Sequence, residues 1–103
     1  MVWHAVESER EGLETLCRQH HVRQLALFGS ATRTDFDPDR SDLDFLVEFE
    51  DMAPGDYADA YFGLLEGLEG LFGRRVDLLT TPSVTNPYLR EGIKATRVEL
   101  YAA

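Results

Sequence analysis

Between Ser41 and Phe49 the chain reads Ser-Asp-Leu-Asp-Phe-Leu-Val-Glu-Phe, and this stretch restricts the fold more than any other. Leu43, Phe45, Val47 and Phe49 recur every second residue, the period of a strand that buries one face. Asp42 and Asp44 must then share the opposite face, about 7 Å apart at their Cα atoms for a rise of about 3.3 Å per residue. Upstream, the apolar run Leu25-Ala26-Leu27-Phe28 ends abruptly in Gly29-Ser30. A buried strand therefore delivers the chain to a phosphate-sized turn. A polar loop follows, and then a strand carrying two carboxylates.

The remaining pattern builds a domain around these elements. Leu13, Leu16, Cys17 and His20 recur at helical spacing and predict a first helix from Val6 to His20. Val22 to Phe28 reads as a strand. The loop from Ala31 to Ser41 holds Arg33, and Ser30 is placed to cap a helical turn at its start. Asp42 to Phe49 is the second strand, and residues 51–55 form a turn. A helix from Asp56 to Phe72 would bury Tyr57, Tyr61, Leu64, Leu65, Leu68 and Phe72, with Gly73 as its C-terminal cap. Arg74 to Thr80 gives a third strand, broken by Thr81-Pro82. A last helix starts near Asn86-Pro87, with Pro87 at its first position. Tyr88, Leu89, Ile93 and Ala95 are its expected buried residues. Val98 to Tyr101 reads as a short strand or a packed tail. The order helix, strand, strand, helix, strand, helix predicts an α+β fold, with helices packed on a mixed α/β sheet.

Composition narrows the partners. A chain of 103 residues fits one small domain, residues 1–103, with a modest core. Its net charge of -9 repels phosphate backbones and disfavours direct binding to nucleic acid. The same field tolerates a basic protein partner and is neutralised locally by metal ions. Cys17 is the single cysteine, so neither an intrachain disulfide nor a cysteine-based zinc site is available. That fits a reducing, cytoplasmic setting. The first ten residues carry Glu7, Glu9 and Arg10 and lack an apolar signal core. No apolar run approaches membrane-spanning length, so no membrane partner is expected.

The chemistry concentrates in a few side chains. Asp42 and Asp44 can converge on one or two Mg²⁺ ions, which prefer hard oxygen ligands and complete their shells with water and substrate phosphate. Such ions activate an attacking oxygen and stabilise a leaving pyrophosphate. Gly29 lets backbone approach a phosphate, the N–H groups after it can donate, and the Ser30 hydroxyl adds a donor. Arg33 could reach a phosphate as a charged fork, or remain a solvated loop residue. Asp77 lies in the apolar run Val76-Asp77-Leu78, where a buried lone carboxylate needs a partner. Arg74 or Arg75 could supply one. Alternatively, Asp77 completes a carboxylate triad with Asp42 and Asp44 from a neighbouring strand. Weaker signals are set aside. Asp35-x-Asp37-x-Asp39 echoes an EF-hand start, but Arg40 stands at the glycine position and Leu46 at the closing glutamate. His20-His21 fits a helix end better than a metal site. Cys17 reads as core. Gly63-x-x-x-Gly67 is a poor signal in a soluble helix. Trp3 is left unassigned between the core and a partner surface.

Gly29-Ser30, then Asp42-x-Asp44, then a strand Asp77 resemble the nucleotidyltransferase superfamily of DNA polymerase β type. The small size and the tail Asn86-Pro87-Tyr88-Leu89-Arg90 to Leu100-Tyr101 resemble its minimal nucleotidyltransferases. The likeness runs from about Val22 onward. It implies the small polymerase-β-type fold, with Gly29, Ser30 and Arg33 binding nucleotide and Asp42, Asp44 and Asp77 as catalytic, metal-binding carboxylates. One departure is visible: the loop Ala31 to Ser41 places eleven residues between Ser30 and Asp42, one more than the usual minimal pattern. Members of that group act as antitoxins beside HEPN-domain ribonuclease toxins. The resemblance therefore implies transfer of AMP from ATP to a tyrosine of a HEPN toxin, with Mg²⁺ as cofactor. The chain offers no second substrate-binding domain, so a partner would supply the acceptor. A non-catalytic antitoxin that only occludes its toxin, and a nucleotidyltransferase for a small molecule such as an aminoglycoside, are the alternatives.

Overall fold

A computed structural model describes residues 4–33, 36, 37, 39 and 41–103. Trp3, Thr34, Asp35, Pro38 and Arg40 lie outside the described residues. With them lie the start of the EF-hand-like run and part of the loop that is one residue longer than the usual pattern.

The helical start is divided. Helices α1 (His4–Ser8) and α2 (Arg10–Gln19) replace the single helix expected from Val6 to His20, with Glu9 between them at φ -103° and ψ 20°. Of the expected stripe Leu13 and Cys17 are buried and Leu16 and His20 half-buried, and Val6 of α1 is buried as well. Strand β1 spans Val22–Phe28, and β2 spans Leu43–Phe49. Helix α3 covers Pro54–Phe72 and ends on Gly73 at φ 63°, the left-handed cap that glycine adopts without strain. Of its expected apolar residues Leu64 and Leu68 are buried, while Tyr57, Tyr61, Leu65 and Phe72 pack partly buried against the core. Strand β3 is Val76–Thr80, shorter than the expected run from Arg74. Helix α4 is Pro87–Thr96, with the Asn86 side chain accepting from the Tyr88 and Leu89 amides. Strand β4, Val98–Ala102, settles the expected strand-or-tail choice in favour of a strand.

The four strands form one mixed sheet in the order β3-β2-β1-β4. β1 is antiparallel to both β2 and β4, whereas β2 and β3 are parallel and joined through α3. The strand period sorts residues onto two faces. Leu25 and Leu27 of β1, Leu43, Phe45, Val47 and Phe49 of β2, and Val76 and Leu78 of β3 join the larger core with α1, α2 and α3. The other face carries a smaller cluster, Phe28, Leu46, Val84 and Ile93, with Leu79 packed against it.

Helices α2 and α3 meet closely at glycines. A Cβ on Gly63 would stand 2.6 Å from the His20 ring, and one on Gly67 would stand 2.5 Å from Leu16 Cδ2. The Gly63-x-x-x-Gly67 spacing set aside in the sequence therefore marks a real helix contact. His20 follows α2, its backbone N–H donating to the Leu16 carbonyl, as a helix-end residue should. Cys17 is fully buried in the core, as its place on the apolar stripe predicts. Burial pushes its thiol up to about 12.

Helix α4 departs most from expectation. Ile93 is buried, but Tyr88 is 89% exposed and Leu89 41% exposed, and Ala95 is exposed as well. The small cluster it covers needs only a narrow stripe of the helix, so its first turn faces solvent. Among the described residues no helix is long and apolar enough to cross a membrane.

Candidate active site

β1 ends at Phe28, and the chain turns immediately through a 3₁₀ turn, Gly29–Thr32. Gly29 has φ 76°, a conformation that disfavours any side chain. Space demands glycine as well, because a Cβ there would lie 2.6 Å from Asp44 Oδ2. The Gly-Ser turn and the Asp-x-Asp strand are thus in direct contact, as the antiparallel pairing of Phe28 with Asp44 requires.

Two hydroxyls fix the turn. Thr96 Oγ1, at the end of α4, accepts from the Gly29 amide at 2.9 Å and donates to the Gly92 carbonyl at 2.8 Å. Thr32 Oγ1 donates to the Gly29 carbonyl at 2.8 Å. Ser30 is inside the turn. The N-cap is Phe28, and no side chain makes a capping bond, so the expected capping role of Ser30 is not realised. The amides that begin a helical turn have no partner within it. Since Thr96 takes that of Gly29, the Ser30 amide and hydroxyl are the donors of this turn left for a ligand among the described residues. Thr96 has no local signal in the sequence, because its partner is 67 residues away.

The carboxylates come together across strands. Asp44 pairs in parallel register with Asp77, so both leave the same face of the sheet. Asp77 itself is exposed, contrary to the burial expected from its apolar neighbours. Val76 and Leu78 are buried because they face the main core, and the strand period turns Asp77 the other way. Desolvation falls on Asp44 instead. Burial raises its pKa from 3.8 to about 6, reinforced by the charge of Asp77, a side-chain hydrogen bond with Asp77 and the charge of Asp42, and opposed by Arg33. Arg33 is exposed, yet near enough to favour the ionised form of Asp44. Arg74 is not the partner of Asp77. Its Nη1 donates to the Ser41 carbonyl at 2.9 Å and its guanidinium lies 5.5 Å from the centre of the Phe36 ring, which ties down the segment entering Asp42.

All six sequence-predicted site residues therefore fall in one region: Gly29, Ser30 and Arg33 on the turn and its exit, Asp42 and Asp44 at the start of β2, and Asp77 on β3. Among the described residues no three His, Cys, Asp or Glu side chains are already gathered as a metal cage. The donor set is all oxygen, which suits a hard divalent cation. The carboxylate crowding that adds to the effect of burial at Asp44 is also the repulsion such a cation would relieve.

A mixed four-stranded sheet with a glycine turn against paired strand carboxylates defines a nucleotidyltransferase of the polymerase-β type. The chain belongs to the family described as "Nucleotidyltransferase domain", whose model matches residues 9–100. Two relatives from Methanocaldococcus jannaschii are each named "Putative protein adenylyltransferase". One is 35% identical over 85 residues, covering 82% of this chain and 83% of the relative. The other is 34% identical with the same coverage. A solved structure described as "Structure of putative minimal nucleotidyltransferase" is 33% identical, superposes with a TM-score of 0.74 and covers 95% of both chains. A chain from the complex of a tri-AMPylated Shewanella oneidensis HEPN toxin with its MNT antitoxin shares the fold, at a TM-score of 0.63 and 19% identity over 94% of this chain and 72% of that one.

Proposed function

We propose that this chain is an antitoxin-type adenylyltransferase that moves AMP from ATP to a tyrosine of a HEPN-domain toxin, neutralising it. The cross-strand contact of Asp44 with Asp77, against the Gly29-Ser30 turn, carries this reading. The names of the archaeal relatives support protein as the acceptor, and the shared fold with a chain of a HEPN–MNT complex supports the partner.

In this reading the Ser30 amide and hydroxyl hold phosphate oxygens, with Arg33 as an exposed cationic contact. Thr96 and Thr32 keep the turn rigid, so those donors stay aimed. Asp42 and Asp44 would hold Mg²⁺, with Asp77 sharing the site. When bound, the ion supplies charge neutralisation and Lewis-acid polarisation at the phosphoryl group. Asp77, exposed at the edge of the pair, accepts the proton of the tyrosine hydroxyl at its carboxylate. The tyrosine oxygen bonds to the α-phosphorus, and the bond from that phosphorus to the pyrophosphate oxygen breaks.

Intact mass spectrometry of the protein encoded by the neighbouring gene, after incubation with this chain, ATP and Mg²⁺, tests the reading. Whole AMP increments that vanish with Asp42→Asn/Asp44→Asn are expected. A stable complex without any increment would replace catalysis by occlusion. No complex at all would return attention to small-molecule acceptors.

A further inference from the structure

The sheet face that carries the carboxylates also floors a groove that the transfer chemistry leaves unused. It has a volume of about 400 Å³ and lies between β2, α4 and the 3₁₀ turn Thr81–Ser83. Leu46, Val84 and Ile93 give it an apolar floor, and Arg90, Lys94 and Arg97 stand on its α4 side. Leu46 follows Asp44 by two residues on the same strand face, so the groove begins about 7 Å along the strand from Asp44, measured at the Cα atoms.

The three cations are hard to explain by folding alone. They sit at i, i+4 and i+7, Arg90 and Lys94 on one face of α4 and Arg97 at its C-cap, where like charges repel. The helix dipole favours Lys94 and Arg97 at the C-terminal end, but opposes Arg90 in the first turn. Arg10, Arg18 and Arg23 each have an ion pair, whereas among the described residues Arg90, Lys94 and Arg97 have neither an ion pair nor a side-chain hydrogen bond. Glu91 adds one carboxylate to the same groove and does not pair with them. The chain has ten lysines and arginines against nineteen acidic residues, and Lys94 is its sole lysine. Three unpaired cations over an apolar floor are therefore a local reversal of the molecule's field. Tyr88 and Leu89, exposed beside Arg90, add apolar surface on the same turn.

We propose that this groove seats the acceptor protein's own peptide segment, an acidic stretch with apolar side chains that presents its hydroxyl to Asp77. The proposal rests on the protein-acceptor reading above. Charge complementarity selects the occupant: elsewhere the negative field repels an acidic segment, and here three cations and a greasy floor receive it. A nucleotide is a poorer fit, because its phosphates belong at the Ser30 turn and its base would leave the cations unpaired.

Two fluorescein-labelled peptides test this, each centred on Tyr-Leu, one flanked by Glu and Asp and the other by Lys and Arg. Anisotropy titrations use the full chain, Arg90→Glu/Lys94→Glu and Arg90→Gln/Lys94→Gln, with a fluorescent ATP analogue titrated in parallel and a thermal melt of each variant. The acidic peptide should bind the unmodified chain at least tenfold tighter than the basic one. The Gln variant should lose that preference and the Glu variant should reverse it, with affinity for the ATP analogue unchanged within twofold. Equal binding of the two peptides, or a preference indifferent to both variants, would overturn the proposal. So would parallel loss of the ATP analogue, which would make the groove part of the nucleotide site. If the Glu variant does not fold, the Gln variant decides. An unmodified chain that prefers the acidic peptide but binds no ATP analogue supports the groove and sinks only the adenylyl-transfer reading.

Discussion

The two faces of the sheet are made by the same strands, yet they are organised for opposite ends. On the α1–α3 side, Leu43, Phe45 and Val47 of β2 are fully buried. On the α4 side, the intervening residues are Asp44, Leu46 and Glu48, and the covering cluster has four buried members. One face is closed because its side chains only need each other. The other is left open by a short helix that touches a narrow apolar strip, and every candidate functional group lies on it. A period of two lets one strand serve both, and neighbouring residues have unrelated duties.

Substitutions at adjacent positions should separate these duties sharply. Asp44→Asn should lower AMP transfer by about a thousandfold or more, an effect of about 4 kcal/mol on the barrier, read by single-turnover labelling of the acceptor. Phe45→Ala, one residue on, should remove about 3–5 kcal/mol of stability in urea unfolding, with loss of activity only where the protein unfolds. Similar stability losses at the two positions would end the division between the faces.

Asp44→Asn should do the reverse to stability. A carboxyl whose folded pKa is raised from 3.8 to about 6 contributes fully below pH 3.8 and loses that contribution as pH rises through 6. Without divalent cations at pH 7, the Asn variant should therefore be more stable than the unmodified chain by about 1–2 kcal/mol, allowing for residual solvent screening. The difference should shrink towards pH 4. A melting-temperature series across that range checks the sign. On the closed face, Gly67→Val would drive a side chain into Leu16 and should cost about 1–3 kcal/mol without altering metal or nucleotide affinity. The smallest effect is expected at Thr96→Val, about 1 kcal/mol of stability from the lost Gly29 bond, together with a fall in transfer rate. Transfer at the unmodified rate would show that the turn holds itself.

Features with a local period or a local cap were legible in the sequence. β1 followed from its apolar run ended by Gly29 and the core-facing residues of β2 from alternation, and Gly73 and Asn86-Pro87 mark helix ends by their own chemistry. The closeness of Gly29-Ser30 to Asp42-x-Asp44 was legible too, because one strand pairing brings them together. The misreadings share a cause. Asp77 reads as buried and Tyr88 and Leu89 as core only when a residue is judged by its chain neighbours rather than by what covers its face. The division of the first helix at Glu9 left no breaker in the sequence. The hold of Thr96 on Gly29 depends on tertiary placement that no local pattern carries.

That last contact has a consequence for synthesis. β1, the strand that leads into the turn, is flanked by β4, and the turn is pinned by the final residue of α4. A nascent chain still lacking residues 96 to 102 would already hold all three carboxylates, but with β1 as a bare edge and Gly29 unpinned. Catalytic competence would then wait for Thr96 and β4 to be made. A chain truncated before Thr96 should be inert and prone to edge-to-edge association, whatever the state of its carboxylates.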